Sequence, residues 1–342
     1  MVRVLVTGYG GFLGSEITRQ LLQHGFQVRG IARSNYPELQ ALGVETVQGS
    51  VTDRDLVLNA CQGCAAVINT AAKAGVWGSW DSYYEVNTRA TSHLLEGAHQ
   101  HGLQAFVQTS SPSVTFAGKD QSGVDEAEPY PEKWLCFYPQ TKALAEQAVL
   151  ESNSVGKVAS CALRPHLIWG LGDPHLFPRV VERTLQGRLR CVGDGKNLID
   201  VVHVSNAAHA HVLALKRLLD KDQELTGQAL FITDGQPVAC WEWISKILEA
   251  AEVAVPKKKI SFSAAYTIGA CLEGIYWMLG RSQEPPMTRF VAAQLAQDHY
   301  FSLDKARRLL GYETIVDGEA EFERCKPWLK ELADQLRKSP RK

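Results

Sequence analysis

The chain has 342 residues, with 36 Lys plus Arg against 37 Asp plus Glu, a formal net charge of -1, 45% apolar residues and eight cysteines. Neutrality without a basic block excludes the electrostatic footprint of a nucleic-acid binder, and the apolar fraction excludes disorder as a main theme. The stretch Met1 to Thr7 reaches Gly8 too soon for a signal-peptide core, and Cys61, Cys64, Cys136, Cys161, Cys191, Cys240, Cys271 and Cys325 are too scattered for a disulfide framework; both point to a reducing, cytoplasmic setting.

In chain order, short apolar runs alternate with segments of helical period, which predicts an α/β fold: a Rossmann doubly wound parallel sheet with a smaller mixed C-terminal region. Predicted strands are Val2 to Val6, Gln27 to Ile31, Glu45 to Gln48, Ala66 to Asn69, Ala105 to Thr109 and Ala159 to Leu163. Between the first two, Leu13, Ile17, Leu21 and Leu22 recur at helical spacing, and Gly25 follows as a stop. Residues 1 to 170 read as the dinucleotide-binding domain, with returns to it from about 195 to 235, and residues 171 to 342 read mainly as a substrate-binding or cap region. There, Arg179 to Gln186, Cys240 to Ala251 and Arg289 to Gln297 are predicted helices, Phe231-Ile232 a short strand, Pro285-Pro286 a break, and the basic segment from Lys326 a solvated helix end and tail. Ile260 to Gly280 is apolar and about long enough to cross a bilayer, but Glu273 lies inside it, so a buried or cap helix is expected ahead of an interfacial one.

Gly8, Gly11 and Gly14 stand three apart directly after the first strand and lead into the first helix. Glycines there admit positive φ, let the backbone approach a pyrophosphate and let the helix pack closely, while the helix start offers free N-H groups. The pattern predicts dinucleotide binding. In the NAD version of such a site an acid ends the second strand about 20 residues on. This chain instead reads Arg29-Gly30-Ile31-Ala32-Arg33-Ser34-Asn35. A guanidinium beside a hydroxyl suits a 2'-phosphate, so NADP(H) is the expected preference over NAD(H), with Arg33 and Ser34 as readers.

Phe137-Tyr138-Pro139-Gln140-Thr141-Lys142 opens a helix, with Pro139 in its first turn and Tyr138 and Lys142 on one face. A phenol is a poor acid at neutral pH; an ammonium about 4 Å away would couple to the phenolate by about 4 kcal/mol at an effective dielectric near 20, lowering its pKa. Before it, Phe106 to Ser113 is a strand ending in hydroxyls at the edge where open α/β sheets bind ligands, and a serine there can bind the substrate oxygen and orient the tyrosine.

With these three features in order, the chain resembles the extended short-chain dehydrogenase/reductase superfamily. The resemblance implies that Ser111 polarises a carbonyl, Tyr138 is the acid/base, Lys142 binds the nicotinamide ribose and lowers the tyrosine pKa, and Asn87 completes a proton relay or supports the serine. It further implies cofactor contacts at Gly8, Gly11, Phe12, Leu13, Gly14, Ser50, Val51, Ala71, Ala72, Lys73, Pro165, His166 and Leu167. Ser50 and Asn69 depart from the family's adenine-side Asp and its His. Ala71 to Gly78, Thr109 to Val114, Tyr138 to Glu146, Leu163 to Gly170 and Glu284 to Val291 are similar to the 3β-hydroxysteroid dehydrogenase branch, and within it to bacterial 2-alkyl-3-oxoalkanoate reductases of long-chain olefin biosynthesis.

That branch implies an NADPH-dependent reduction of a 3-oxo group on a small hydrophobic substrate, giving the 3-hydroxy acid. Alternatives are a 3β-hydroxysteroid or sterol dehydrogenase, a nucleotide-sugar epimerase or dehydratase, and a non-catalytic NADP sensor. Val76, Trp77, Trp80, Tyr83 and Tyr84 are candidates for an apolar pocket, with Lys73, Trp77 and Ser113 toward the substrate and Lys73 nearest for a carboxylate. Homodimerisation, association with other enzymes of the olefin pathway and contact with a membrane surface stay open. Cys61-Gln62-Gly63-Cys64 lacks a second pair for zinc or a redox context, and His203, His209 and His211 form only a loose group; no metal is expected.

Overall fold

The computed structural model describes residues 2 to 155 and 158 to 338. The first half runs β1 (Arg3–Thr7), α1 (Phe12–Gln23), β2 (Gln27–Ala32), α2 (Pro37–Gln40), β3 (Glu45–Gln48), α3 (Arg54–Cys61), β4 (Ala66–Asn69), α4 (Trp80–Tyr84), a π turn (Glu85–Arg89), α5 (Ala90–Gln100), β5 (Ala105–Thr109), β6 (Gln121–Val124), α6 (Phe137–Val155) and β7 (Ala159–Pro165). The second runs β8 (Ile168–Trp169), α7 (Leu176–Leu185), β9 (Cys191–Val192), β10 (Leu198–Ile199), β11 (Val202–His203), α8 (Val204–Leu219), β12 (Ala229–Ile232), β13 (Val238–Ala239), α9 (Cys240–Ala250), β14 (Lys259–Ile260), α10 (Phe262–Met278), α11 (Arg289–Gln294), β15 (His299–Phe301), α12 (Asp304–Leu310) and α13 (Gly318–Lys338).

Seven strands form one sheet in the order β12-β7-β5-β4-β1-β2-β3, every pairing parallel. Strand residues alternate between its two covered faces. Val4 and Val6 pack with Ile17 and Leu21 of α1 and Ala207, Ala210 and Ala214 of α8, while Leu5 packs with Val57 of α3, Leu94 of α5 and Val149 of α6. The strand order reverses between β1 and β4, so the loops after these strands open a crevice at the carboxyl edge.

The second lobe has its own core around Trp169, Phe177, Trp243 and Phe322. A four-stranded sheet, β13-β10-β15-β6, joins it to the loop that follows β5. All six strands expected from the sequence form, with β1 one residue later and β7 two residues longer than expected. The seventh, β12, begins two residues before Phe231. The helix expected over Arg289 to Gln297 stops at Gln294, and the turn beyond it leads into β15. Helix α13 starts at Gly318, well before Lys326, and the last four residues of the expected basic tail lie outside the described residues.

Candidate active site

The glycine turn is built by close approach. Gly8 has φ 65°, and its carbonyl accepts from Gly11 N-H at 2.8 Å. A side-chain carbon added to Gly14 would lie 2.1 Å from that carbonyl oxygen. The N-cap of α1 is Gly11, without a side-chain cap, so the first N-H groups of the helix remain available to an anion. Facing the turn, Thr7 Oγ1 accepts from the Thr70 and Ala71 N-H groups at 3.2 and 3.1 Å and donates to Asn69 Oδ1 at 2.6 Å. Asn69 is thereby spent inside the protein, its amide donating to Thr91 and Gln108.

These loops border a cleft of about 1010 Å³. Its lining includes every cofactor residue expected from the sequence: Gly8, Gly11, Phe12, Leu13, Gly14, Arg33, Ser34, Ser50, Val51, Ala71, Ala72, Lys73, Tyr138, Lys142, Pro165, His166 and Leu167. The uncapped helix start and the side-chain-free turn fit a pyrophosphate. Arg33 and Ser34 are exposed at the end of β2, and the Arg33 guanidinium is in no ion pair among the described residues.

At the other end of the cleft, Ser111 caps a short 3-10 turn, Pro112–Thr115, and its hydroxyl lies 2.9 Å from that of Ser113. The Tyr138 hydroxyl neighbours Ser111, and its ring meets Tyr83 edge to face. The expected lowering of the phenol pKa is not found. Burial pushes Tyr138 up, the neighbouring Ser111 hydroxyl opposes this, and Cys136 adds to the rise. Lys142 does not offset it, because its ammonium donates to the Thr109 carbonyl. Burial also lowers Lys142 to about 8, against the pull of Glu146 one turn on. Glu146 is itself fully buried and tied to Arg164 at 2.5 Å and to the Tyr130 hydroxyl at 2.6 Å.

Asn87 lies behind the cleft wall. Its Oδ1 accepts from the Lys73 N-H at 2.8 Å, and its Nδ2 donates to the Lys73 carbonyl at 3.1 Å and to Thr141 Oγ1 at 3.0 Å. It therefore fixes the Lys73 loop against the helix that carries Tyr138 and Lys142, and it bonds neither Tyr138 nor Ser111. Lys73 lines the cleft with its ammonium 4.9 Å from the Tyr83 ring centre and no carboxylate partner among the described residues. Ser113 lines the cleft; Trp77 does not, because its indole donates to the Arg281 carbonyl at 2.9 Å and packs edge to face on Tyr276.

Most of the apolar wall comes from elsewhere than expected. Tyr83 is buried with its hydroxyl on the Trp77 carbonyl, and Trp80 stacks on Tyr84. Phe116, Leu176, Phe290 and Phe301 line the cleft instead. His166 Nε2 lies 2.6 Å from His299 Nδ1, and His299 Nε2 lies 2.8 Å from the Gln294 carbonyl. Since Nε2 of His299 must donate to that carbonyl, its Nδ1 accepts from His166; burial holds both rings below the usual histidine range, neutral. His211 also has a place here: its Nδ1 donates to the Ala207 carbonyl, leaving Nε2 to accept from Thr109 Oγ1 at 2.8 Å. Thr109 in turn holds Lys142. The periodicity of these C-terminal residues gives no sign of the roles; only long-range pairing reveals them.

Other marked groups are structural. All eight cysteines are free, with Cys61 and Cys64 buried and Cys61 pushed up to about 12 by burial. His203 caps α8, and among the described residues no three His, Cys, Asp or Glu side chains group to hold a metal.

The profile of the 3-beta hydroxysteroid dehydrogenase/isomerase family matches residues 5–263. The chain is 44% identical to a 2-alkyl-3-oxoalkanoate reductase of Stenotrophomonas maltophilia, over 95% of this chain and 98% of the relative. It is 41% identical to a protein of the same name from Shewanella oneidensis, over 94% and 84%. Among solved structures, a UDP-glucuronic acid 4-epimerase of Bacillus cereus in complex with NAD superposes with a TM-score of 0.73 at 20% identity, over 97% of this chain and 100% of that one, a likeness of fold.

Proposed function

The chain belongs to the 3-beta hydroxysteroid dehydrogenase/isomerase family and is an NAD(P)-dependent oxidoreductase acting on a hydroxyl or oxo group, and from that premise we propose that it reduces the 3-oxo group of 2-alkyl-3-oxoalkanoic acids with NADPH. The observation that carries the substrate class is the lining of the cleft that holds Tyr138, to which Phe116, Leu176, Phe290 and Phe301 contribute and to which Lys73 brings a cation without an acidic partner among the described residues. Arg179 also lines the cleft, but Glu284 holds it. Aromatic walls suit alkyl chains, and the Lys73 ammonium suits a carboxylate.

A dinucleotide held by the glycine turn and the cleft residues would supply the hydride, hence both electrons, for the carbonyl carbon. Tyr138 Oη gives its proton to the carbonyl oxygen, and Ser111 Oγ donates a hydrogen bond to the same oxygen, stabilising charge as it develops. The phenol's raised pKa keeps it protonated but makes it a weaker acid, so the transfer is driven by the alkoxide that develops as hydride arrives, a stronger base than the phenolate. Lys142, held by the Thr109 carbonyl, would give its remaining N-H groups to the nicotinamide ribose hydroxyls. Arg33 and Ser34 read a 2'-phosphate in the absence of a competing acid at the end of β2.

The test is turnover with NADPH and with NADH across 2-alkyl-3-oxo acids, 3-keto steroids and UDP-sugars, run also in reverse from the 3-hydroxy acids and NADP+. The oxo and hydroxy acids are expected to turn over, with NADPH preferred and that preference lost in Arg33→Ala. Turnover of steroids or UDP-sugars alone contradicts the substrate class, and an unchanged preference in Arg33→Ala contradicts the role of that arginine.

A further inference from the structure

The cleft is lined by four cations, Arg33, Lys73, Lys142 and Arg179, and, among the described residues, by one acid, Asp173. Asp173 is committed to the start of α7, where its carboxylate accepts from the His175, Leu176 and Phe177 N-H groups at 2.8, 3.2 and 2.8 Å. Arg33 and Lys142 are the two cations assigned to the cofactor. Lys73 and Arg179 remain. On α7, Arg179 and Arg183, four residues apart, both donate to Glu284 Oε1, Arg183 at 2.6 Å. Two guanidiniums share one carboxylate oxygen, so the cluster carries one positive charge more than it balances.

The two arginines are not equivalent. Arg183 is the more buried, with its side chain 17% exposed against 38% for Arg179, and it also donates to the Pro286 carbonyl at 3.1 Å. Arg179 gives only Nη2 to Glu284, and its Nε and Nη1 have no acceptor among the described residues. Glu284 can therefore stay with Arg183 while Arg179 turns to another anion, and the exchange leaves no charge unpaired. The cluster stands near the reacting groups: the Glu284 charge helps to raise the Tyr83 phenol, and the Tyr83 ring has the Tyr138 ring at 6.5 Å and the Lys73 ammonium at 4.9 Å. A carboxylate presents two coplanar oxygens, which the planar guanidinium edge matches with paired N-H groups. In a 2-alkyl-3-oxo acid that carboxylate is two bonds from the carbon that takes the hydride.

Resting on the substrate being a 3-oxo acid, we propose that Arg179 receives the substrate carboxylate alongside Lys73, and that Glu284, kept by Arg183, holds the arginine until the acid enters. The test is steady-state kinetics of the full chain with NADPH, comparing a 2-alkyl-3-oxo acid with its uncharged methyl ester, in the parent and in Arg179→Gln, Arg179→Lys and Glu284→Gln. Arg179→Gln is expected to lower kcat/KM for the acid about tenfold or more, through KM, and to change it for the ester about twofold or less. Arg179→Lys keeps the charge but loses the planar edge, and its acid value is expected to fall between parent and Arg179→Gln. Glu284→Gln removes the competing carboxylate and is expected to lower KM for the acid about threefold without doing so for the ester. Melting temperature and NADPH affinity, both expected to be unchanged, show that fold and cofactor site persist. Equal losses on acid and ester in Arg179→Gln give the cluster a structural role and overturn the proposal, as does an Arg179→Gln variant as fast on the acid as the parent. Turnover of neither acid nor ester by the parent is a different result: it contradicts the substrate class and removes this proposal with it.

Discussion

Lys142 shows how a residue can be recognised in the sequence while its electrostatics are not. The four-residue spacing from Tyr138 identifies the pair, because spacing on a helix is local. What it cannot give is the Thr109 carbonyl, 33 residues away in sequence, that receives the ammonium, or the burial that moves both pKa values. His211 is further from reach, acting through Thr109 across 102 positions. Lys142 has a pKa lowered from 10.5 to about 8, so its ammonium is present below that pH and lost above it. The kcat/KM for NADPH, which reports groups of the ligand-free enzyme, is therefore expected to fall as pH rises through about 8. A pH profile flat to pH 10 contradicts a role for that ammonium in holding the ribose.

At the scale of elements, β1, the glycine turn and α1 are legible because β-branched alternation, turn chemistry and helical period agree over thirty residues. Strands β6 and β15 are not. They are four and three residues long, and they pair in a register joining His299 to Gln121. Nothing local specifies that pairing, yet it brings His299 and Phe301 to the cleft. The glycines separate by mechanism in the same way. An added carbon at Gly14 meets Gly8 backbone at 2.1 Å, whereas at Gly274, on the open side of α10, it meets nothing within 4 Å. Gly14→Ala is expected to lower stability by about 1–3 kcal/mol and to weaken NADPH binding, because helix and turn must separate. Gly274→Ala is expected to be neutral or to stabilise by up to about 1 kcal/mol through helix propensity. Thermal melts and NADPH titration of the two variants check this, and equal effects contradict the close-approach account.

For the molecule as a whole, a net charge of -1 hides an uneven distribution: one helix face carries no charge and its flanks carry only cations. The aromatics after β4 attract attention in the sequence as a pocket, but they mainly build the support for α4 and α10, while the apolar wall of the cleft is assembled from Phe116, Leu176, Phe290 and Phe301, gathered from both lobes. Pocket shape is a property of the assembled lobes, and no window of sequence contains it. Family and chemistry were legible in the first 170 residues; substrate contacts depend on the second half. The central claim is that both lobes converge on hydride transfer to a 3-oxo carbon with the proton coming from Tyr138. It is tested most directly by reacting NADPH deuterated at the transferable C4 position with a 2-alkyl-3-oxoalkanoic acid and reading the product by mass spectrometry. One deuterium at C3 of a 3-hydroxy acid is predicted, with the rate falling by about 10²–10⁴ in Tyr138→Phe while NADPH binding is kept. A product without deuterium at C3, or a Tyr138→Phe variant as fast as the parent, contradicts it.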